Sequence, residues 1–395
     1  MYVSDLALTD FRSYSQVVLS LEEGITALVG SNGQGKTNVI ESLGYLATFS
    51  SHRVAGDQAL VRAGAERAVV AAKIVRDTRP RVLELEIVSG KANRGRINRS
   101  PVQRVRELLG HLRTVLFAPE DLALVKGDPD GRRRFLDDLL IQRDPKVAAV
   151  RSDYDRVIRQ RNALLKSAGA ARRSGGGGDL RTLDVWDEKA AAGGAALVSA
   201  RVRAIRDLRE HVARAYDNVS GGAGPAVIGY RSSLVEHSPD QAQPATDDGD
   251  AEAELTDTTL VQARLVEAMS RLRTREIERG VSLVGPHRDD LTLAIGGLPA
   301  KGYASHGESW SLALALRLAC YELLRTEDTF EADGEPVLIL DDVFAELDTG
   351  RRSRLAGMVA GAQQVLITAA VAGDIPEELA GARVDVADGT LTRVR

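Results

Sequence analysis

The sequence predicts an α/β protein in which a mainly parallel sheet with helices on its faces is assembled from both ends of the chain, around an inserted α-helical second lobe. Three observations predict it. An apolar strand pattern ending in glycine runs straight into a helix beginning at Lys36. Strands and helices alternate again after Gly280, and between Asp128 and Arg279 apolar residues recur at helical rather than strand spacing.

The stretches "VSDLALTDF" and "QVVLSL" alternate apolar and polar residues as half-buried strands do, and "ITALVG" reads as a buried strand. A helix is predicted from Lys36 to about Ala47. "AVVAAKIV" and "RVLELEIV" form an antiparallel pair about the turn Asp77 to Pro80, and "TVLFAP" closes this part. In the middle, Val150, Tyr154, Val157, Ile158, Arg161, Leu164 and Leu165 make one mostly apolar helical face. The glycine run Gly175 to Gly178 reads as a connector and the acidic stretch Glu236 to Asp257 as a solvated loop. After Gly280 come the strand "LTLAI", a helix from Glu308 to about Arg325, the strand "PVLILD", a helix near Arg351 to Val359, and the strand "QQVLITA". The expected division is therefore 1–127 and 281–395 as the two parts of one domain, with 128–280 as the helical insert.

Composition narrows the function classes. The chain has 395 residues, 44% of them hydrophobic, enough for a large core. No apolar run approaches the roughly 20 residues of a membrane span. The segment Met1 to Phe11 carries two aspartates and no basic cluster, so it does not read as a secretory signal, and a cytoplasmic location is expected. The single cysteine, Cys320, lies in an apolar helical pattern and reads as a structural thiol. A net charge of −4 looks unsuited to nucleic acid, but the basic residues cluster. Lys91, Arg94, Arg96, Arg99, Arg104, Arg106 and Arg113 fall in one stretch, followed by Arg132, Arg133 and Arg134. Such clusters suit phosphate contacts and equally suit a solvated surface.

Three motifs carry chemistry. "GSNGQGKT", Gly30 to Thr37, fits GxxxxGK[ST] between a strand and a helix. Gly30, Gly33 and Gly35 let backbone N–H groups turn toward phosphate, together with Ser31, Asn32, Gln34 and the following Asn38; Lys36 suits the β and γ phosphates of ATP and Thr37 a Mg2+ ion. "VLILDD" is a buried strand delivering two carboxylates, Asp341 as a second Mg2+ partner and Asp342 to orient or deprotonate the attacking water. Lys36, Asp341 and Asp342 are thus the candidate catalytic residues. Between them, "ASHGESW" opens a helix whose N-terminus forms an anion site.

The stretch Ala304 to Glu308 resembles the signature motif of ABC-type ATPases, written Leu-Ser-Gly-Gly-Gln, and "AELD", ending at Asp348, resembles their D-loop. That resemblance implies an ATP-dependent homodimer in which Ser305, His306, Gly307 and Glu308 of one chain complete the phosphate site of the other. Read with "LTDFRSY", "ESLGYLATFSSHR", "FAPEDLALVKGDP", "RRRFLD", "GPHRDDL" and "LDDVFAELD", the chain resembles the RecF family, whose head is similar to that of SMC proteins. The resemblance implies an ATP-dependent DNA-binding protein of recombinational repair and replication, acting at single-strand gaps with RecO and RecR to promote RecA loading. Arg12 and Arg53 are implied near ATP, each being equally compatible with a surface or DNA-contacting role. Lys91, Arg94, Arg96, Arg99, Arg104, Arg132 and Arg133 are the candidate DNA contacts.

Departures from the general pattern shape further expectations. Asp342 replaces a catalytic glutamate and is one methylene shorter, which implies slow hydrolysis suited to a switch. His306 replaces the first signature glycine, and Thr368 stands where transporters carry a histidine, leaving it at most a hydrogen-bond donor. "GPHRDD", with His287, Arg288 and Asp289, either reads nucleotide state or forms a structural turn. An ABC-type transporter subunit shares the nucleotide motifs but not the other stretches. An ABC-type repair nuclease requires a second metal cluster, and none is evident in the sequence.

Overall fold

The computed structural model describes residues 1–54, 56–173, 181–222, 224–235, 249–327 and 334–394. Strands β1 (Tyr2–Phe11), β2 (Tyr14–Ser20) and β3 (Gly24–Val29) lead into helix α1 (Lys36–Thr48). β4 (Arg67–Arg76), β5 (Arg79–Val88), β6 (Arg94–Ile97), the two-residue β7 (Ser100–Pro101) and β8 (Thr114–Phe117) follow. The helical part holds α2 (Leu122–Lys126), α3 (Pro129–Arg143), α4 (Val147–Arg173), α5 (Arg181–Ser220), α6 (Gly249–Leu255) and α7 (Thr258–Arg279), with strand β9 (Ala226–Arg231) between α5 and α6. Then come β10 (Asp290–Ile295), β11 (Leu298–Pro299), α8 (Ala300–Tyr303) and α9 (His306–Thr326). β12 (Val337–Asp341), α10 (Thr349–Val359), β13 (Gln364–Ala369), β14 (Ala382–Ala387) and β15 (Thr390–Arg393) complete the chain.

The central sheet runs β15-β14-β3-β13-β12-β8, parallel except for the edge strand β15. All five residues of β12 are buried, which is why the sequence there is a continuous apolar run rather than an alternation. The pleat still divides it. Val337 and Ile339 join the core shared with α1, β1 and β4, whereas Leu338 and Leu340 join the core shared with α5, α9 and α10. A separate antiparallel sheet, β2-β1-β4-β5-β6-β7, covers the α1 side, so the helix carrying the glycine-rich turn lies between two sheets and cannot rotate freely. The 4-residue spacing of Val39, Leu43 and Ala47, all buried, is the stripe that holds it there.

Strand β9 departs from the all-helical reading of the middle segment. It pairs antiparallel with β10, with Ile228 opposite Leu293, and its sequence "AVIGYR" has the β-branched, aromatic composition of a strand. Residues of α3 and α5 share one continuous core with α9, β12 and β13. The helices α4, α5 and α7 add a second core around Leu265, Val198 and Tyr154. The predicted glycine connector and the first part of the acidic loop lie outside the described residues. The later part is ordered: Glu252 is buried in α6 against Arg209 at 2.7 Å, while the exposed Asp257 caps α7 by accepting from the Thr259 and Leu260 N–H groups. No helix among the described residues is long and apolar enough to cross a membrane.

Buried arginines staple the helices. Arg161 on α4 is 1% exposed and donates to Asp187 on α5 and Glu276 on α7, both at 2.6 Å, and to Ser282 Oγ at 2.8 Å. One guanidinium therefore neutralises carboxylates from two neighbouring helices; its removal takes from Glu276 its cation, while Asp187 keeps Arg273 at 2.6 Å. Arg161→Met is expected to cost about 3–5 kcal/mol, measured as a lowered urea midpoint with unchanged slope.

Candidate functional site

The turn after β3 is shaped by close approach. A Cβ at Gly30 would lie 2.1 Å from the Val386 carbonyl oxygen of β14, and one at Gly35, whose φ is 107°, would lie 2.7 Å from the Tyr14 hydroxyl. Gly33 adopts φ 83°. Gln34 is held from the far side, its Oε1 accepting from the Asp388 N–H at 2.6 Å. Lys36 is buried and its Nζ turns into the loop, donating to the carbonyls of Gly30 at 2.7 Å and Ser31 at 3.4 Å and to Asn32 Oδ1 at 3.4 Å. No side chain caps the N-terminus of α1. Its first-turn N–H groups and dipole thus face the loop, an arrangement that binds phosphate.

Asp341 and Asp342 arrive at the same place because β12 ends in register with β13, Asp341 opposite Thr368. Thr368 Oγ1 donates to Asp341 Oδ1 at 2.6 Å and accepts from the Asp342 N–H at 2.9 Å, so one hydroxyl positions both aspartates. Its role is larger than the donor expected from the sequence. Thr37 Oγ1 donates to the same Asp341 oxygen at 3.1 Å, joining the glycine-rich loop to the acidic strand. Burial, reinforced by the neighbouring Asp342 charge, pushes Asp341 up to about 6 against the pull of the two threonine hydrogen bonds. A hydroxyl beside a carboxylate is an all-oxygen donor set suited to a hard dication such as Mg2+, which would complete its shell with phosphate and water oxygens. Asp342 turns outward, at φ 49° and 31% exposed, with its carboxylate 4.0 Å from Lys36 Nζ.

A third element lies outside the three nucleotide motifs. Glu41 on α1, fully buried, accepts from Arg12 Nε at 2.8 Å and Nη2 at 2.5 Å and from Ser51 Oγ at 2.6 Å, and lies 3.6 Å from Arg53. Its carboxylate is held below the usual range because these donors outweigh the burial that opposes them. Arg53 also donates to Asn38 Oδ1 at 3.0 Å, and Asn38 donates to Ser13 Oγ at 2.8 Å. Arg12, Arg53 and Asn38 are thus organised by one carboxylate beside the phosphate loop. A Glu four residues after Thr37 on a helix was the available signal.

The second anion-facing helix end belongs to α9. Ser305 and Glu308 form a reciprocal capping box, with Glu308 N–H to Ser305 Oγ at 3.2 Å and Ser305 N–H to Glu308 Oε2 at 2.8 Å. The Ser305 oxygen is used as acceptor, which leaves its proton free to donate. His306 Nδ1 lies 3.5 Å from Lys126 Nζ. Asp348 caps α10 by accepting from the Arg351 N–H at 2.9 Å.

Residues 2–382 match the family described as the RecF/RecN/SMC N terminal domain. Over 398 residues the chain is 67% identical to the DNA replication and repair protein RecF of Beutenbergia cavernae, and over 393 it is 58% identical to that of Frankia alni, with 100% of both chains covered in each case. The chain belongs to the RecF family. A solved structure of the recombination mediator protein RecF-ATPrS in the RecFOR pathway superposes with a TM-score of 0.85 at 25% identity, covering 100% of this chain and 98% of that one. An Smc head bound to the C-terminal winged-helix domain of ScpA shares the fold alone, with a TM-score of 0.53 at 17% identity.

In this RecF-family chain the basic residues divide by burial. Arg132 is 5% exposed and pairs through Nε and Nη2 with both oxygens of Asp290 at 2.8 Å, so the expectation that it contacts DNA is corrected: it staples α3 to β10. Arg133 is likewise engaged, donating to the Asp289 carbonyl at 2.7 Å and pairing with Asp130. Arg113 is fully buried and donates to the Leu324 carbonyl at 2.7 Å and to that of Gly334. Lys91, Arg94, Arg96, Arg99 and Arg104 are exposed, although Arg96 is partly neutralised by Glu84 at 2.6 Å. Arg104 and Arg106 line a cleft of about 880 Å³ with Arg134, Arg151 and Arg159, and with Asp57, Asp153 and Asp155.

"GPHRDD" is a structural turn. Asp289 accepts from Tyr230 Oη at 2.7 Å and the Ser233 N–H at 2.6 Å, Arg288 donates to the Ser282 carbonyl at 2.9 Å, and His287 Nδ1 meets Tyr154 Oη at 2.7 Å. Burial pulls His287 down to about 4, which keeps the ring neutral. His52 Nε2 is buried without a hydrogen-bond partner, and no group of three or more His, Cys, Asp or Glu among the described residues is placed to hold a metal. Cys320 is buried, and burial pushes its thiol up to about 12.

The Glu41 network yields a direct expectation. Glu41→Gln keeps the volume but gives up the charge, and should cost about 1–3 kcal/mol in stability while loosening Arg12 and Arg53. Thermal melts with and without ATP would show a lowered Tm and a smaller ATP-induced rise than in the unaltered protein.

Proposed function

We propose that this chain is an ATP-dependent DNA-binding switch of recombinational repair and replication, acting in the cytoplasm as a homodimer closed by ATP. The observation that carries the reading is the Thr37 to Asp341 hydrogen bond of 3.1 Å, which brings the phosphate loop and the acidic strand into one site. The identity to proteins named for DNA replication and repair supports the setting.

ATP would sit on the loop with its β and γ phosphates against the α1 N-terminus and Lys36, and the arginines held by Glu41 beside it. Mg2+, held by Thr37 and Asp341, supplies neutralisation of the phosphate charge when bound. Asp342 is the residue free to orient the attacking water, and its short side chain favours slow turnover; hydrolysis at rates typical of motor ATPases would contradict this. Ser305, Gly307 and Glu308 of the partner complete the pocket, with Asp348 at the same face.

DNA would be held mainly through phosphates by the exposed cations Lys91, Arg94, Arg99 and Arg104 and by the arginine-lined cleft beside them, with 128–280 as the second lobe. RecO and RecR are the partners this reading implies, and RecA loading at gaps its outcome.

Binding to gapped duplex DNA, with and without ATP and Mg2+, tests the switch. Tight binding only with ATP, lost in Lys36→Ala, is expected, whereas nucleotide-independent binding would sink it. Arg104→Ala combined with Arg106→Ala should weaken binding to all sequences alike and flatten the salt dependence, the slope falling by about one unit for each phosphate no longer neutralised.

A further inference from the structure

Arg351, in the first turn of α10, lies outside the nucleotide motifs of the sequence, yet its guanidinium touches two of them. Its Nη1 pairs with Asp348 Oδ2, and its Nε donates at 3.0 Å to Ser311 Oγ, a buried hydroxyl in the second turn of α9. Its plane also covers Gly307. A Cβ at that glycine would lie 2.8 Å from Nη2 and 3.1 Å from Nη1. The backbone N–H of Arg351 closes the arrangement by donating to Asp348 Oδ1 at 2.9 Å.

These contacts explain the form of the signature stretch. His306 tolerates a side chain because its ring points away toward Lys126, at 3.5 Å. At Gly307 a Cβ would push the guanidinium aside, so glycine leaves that contact undisturbed. The same α10 is fastened one turn later to the helical lobe, where Arg354 Nε donates to the Val219 carbonyl of α5 at 3.1 Å. Asp348 is itself 55% exposed, and Ser305 is exposed at the start of α9. Two exposed loops from different parts of the chain are thus held at a fixed separation by one planar, two-edged cation. A lysine could satisfy only one of those edges at a time.

We propose that Arg351 is a positioning residue of the half-site offered to the partner chain: it holds the Asp348 loop and the signature loop as one rigid unit, so that both reach the partner's nucleotide together. This rests on the ATP-closed dimer proposed above. The role belongs to the donated half of the site and not to the chain's own phosphate loop.

Mixing variants separates the two halves. In a dimer of Lys36→Ala with Arg351→Ala, one site combines both defects while the other joins an unaltered phosphate loop to an unaltered signature. Each variant alone should lose ATP turnover, by roughly tenfold or more for Arg351→Ala, and turnover should return on mixing. Lys36→Ala mixed with Ser305→Ala is the control for the dimer itself. Return in the control but not with Arg351→Ala would overturn the proposal and leave the dimer standing; return in neither would overturn the dimer and the proposal with it. Arg351→Lys guards against a folding defect. It should melt as the unaltered protein does yet turn over ATP at an intermediate rate, and full activity in this variant would refute the two-edged clamp.

Discussion

The register of three parallel strands governs the rest of the molecule's chemistry. Asp341 stands opposite Thr368, and Thr368 stands opposite Leu28 one residue before the end of β3. A slip of one residue would turn Asp341 and Thr368 to opposite faces and would break the hydroxyl bridge that holds Asp341 and Asp342 together. The same slip would carry Ile339 and Leu340 into each other's cores, so the packing of apolar side chains on both faces of the sheet enforces the alignment of its polar end. Stability and site geometry are one constraint here.

The helical part is joined to that sheet rather than appended to it. α5 runs through the core that includes Leu338 and Leu340 and continues into the core it makes with α4 and α7. Arginines with buried carboxylate partners, Arg132, Arg161 and Arg201, fix the junctions, Arg201 pairing with Asp137 at 2.8 Å. Such pairs add little net stability over apolar packing but are costly to break on one side. They favour one arrangement of the helices over others of similar burial. A conformational change at the nucleotide end therefore has stiff elements through which to act on the region around the arginine-lined cleft.

Much of this was legible in the sequence because the signals are local. The strand, glycines and lysine of the phosphate loop are consecutive, the paired aspartates follow directly on their apolar strand, and the signature stretch stands directly before its helix. What was hidden depends on partners far away in the chain. Arg132 resembles the other arginines of the basic stretches until Asp290 is seen opposite it, 158 residues on. Glu41 looks like an ordinary helix-surface glutamate until Arg12 and Ser51 close over it. Thr368 gives no sign that one hydroxyl serves two aspartates, and β9, although its residues suit a strand, is flanked by helical patterns and shows its partner β10 only in the fold. Charge counts fail for the same reason: Arg113 belongs to the basic stretch by sequence and to the core by burial.

The tight approach of β14 to the glycine-rich turn has a consequence for synthesis. Gly30 packs against the carbonyl of Val386, and Gln34 is held by the backbone of Asp388, 354 residues later. β3 lies between β13 and β14 in the sheet, so the first-made strand of the site waits for two of the last-made strands before it has neighbours on either side. On the ribosome, the loop emerges early but cannot take its working shape until almost the whole chain has been translated. An arrested or prematurely terminated product would carry every residue of the glycine-rich motif without a folded loop. The shape of the glycine-rich loop is thus tied to the last strands of the chain as closely as to its own neighbours.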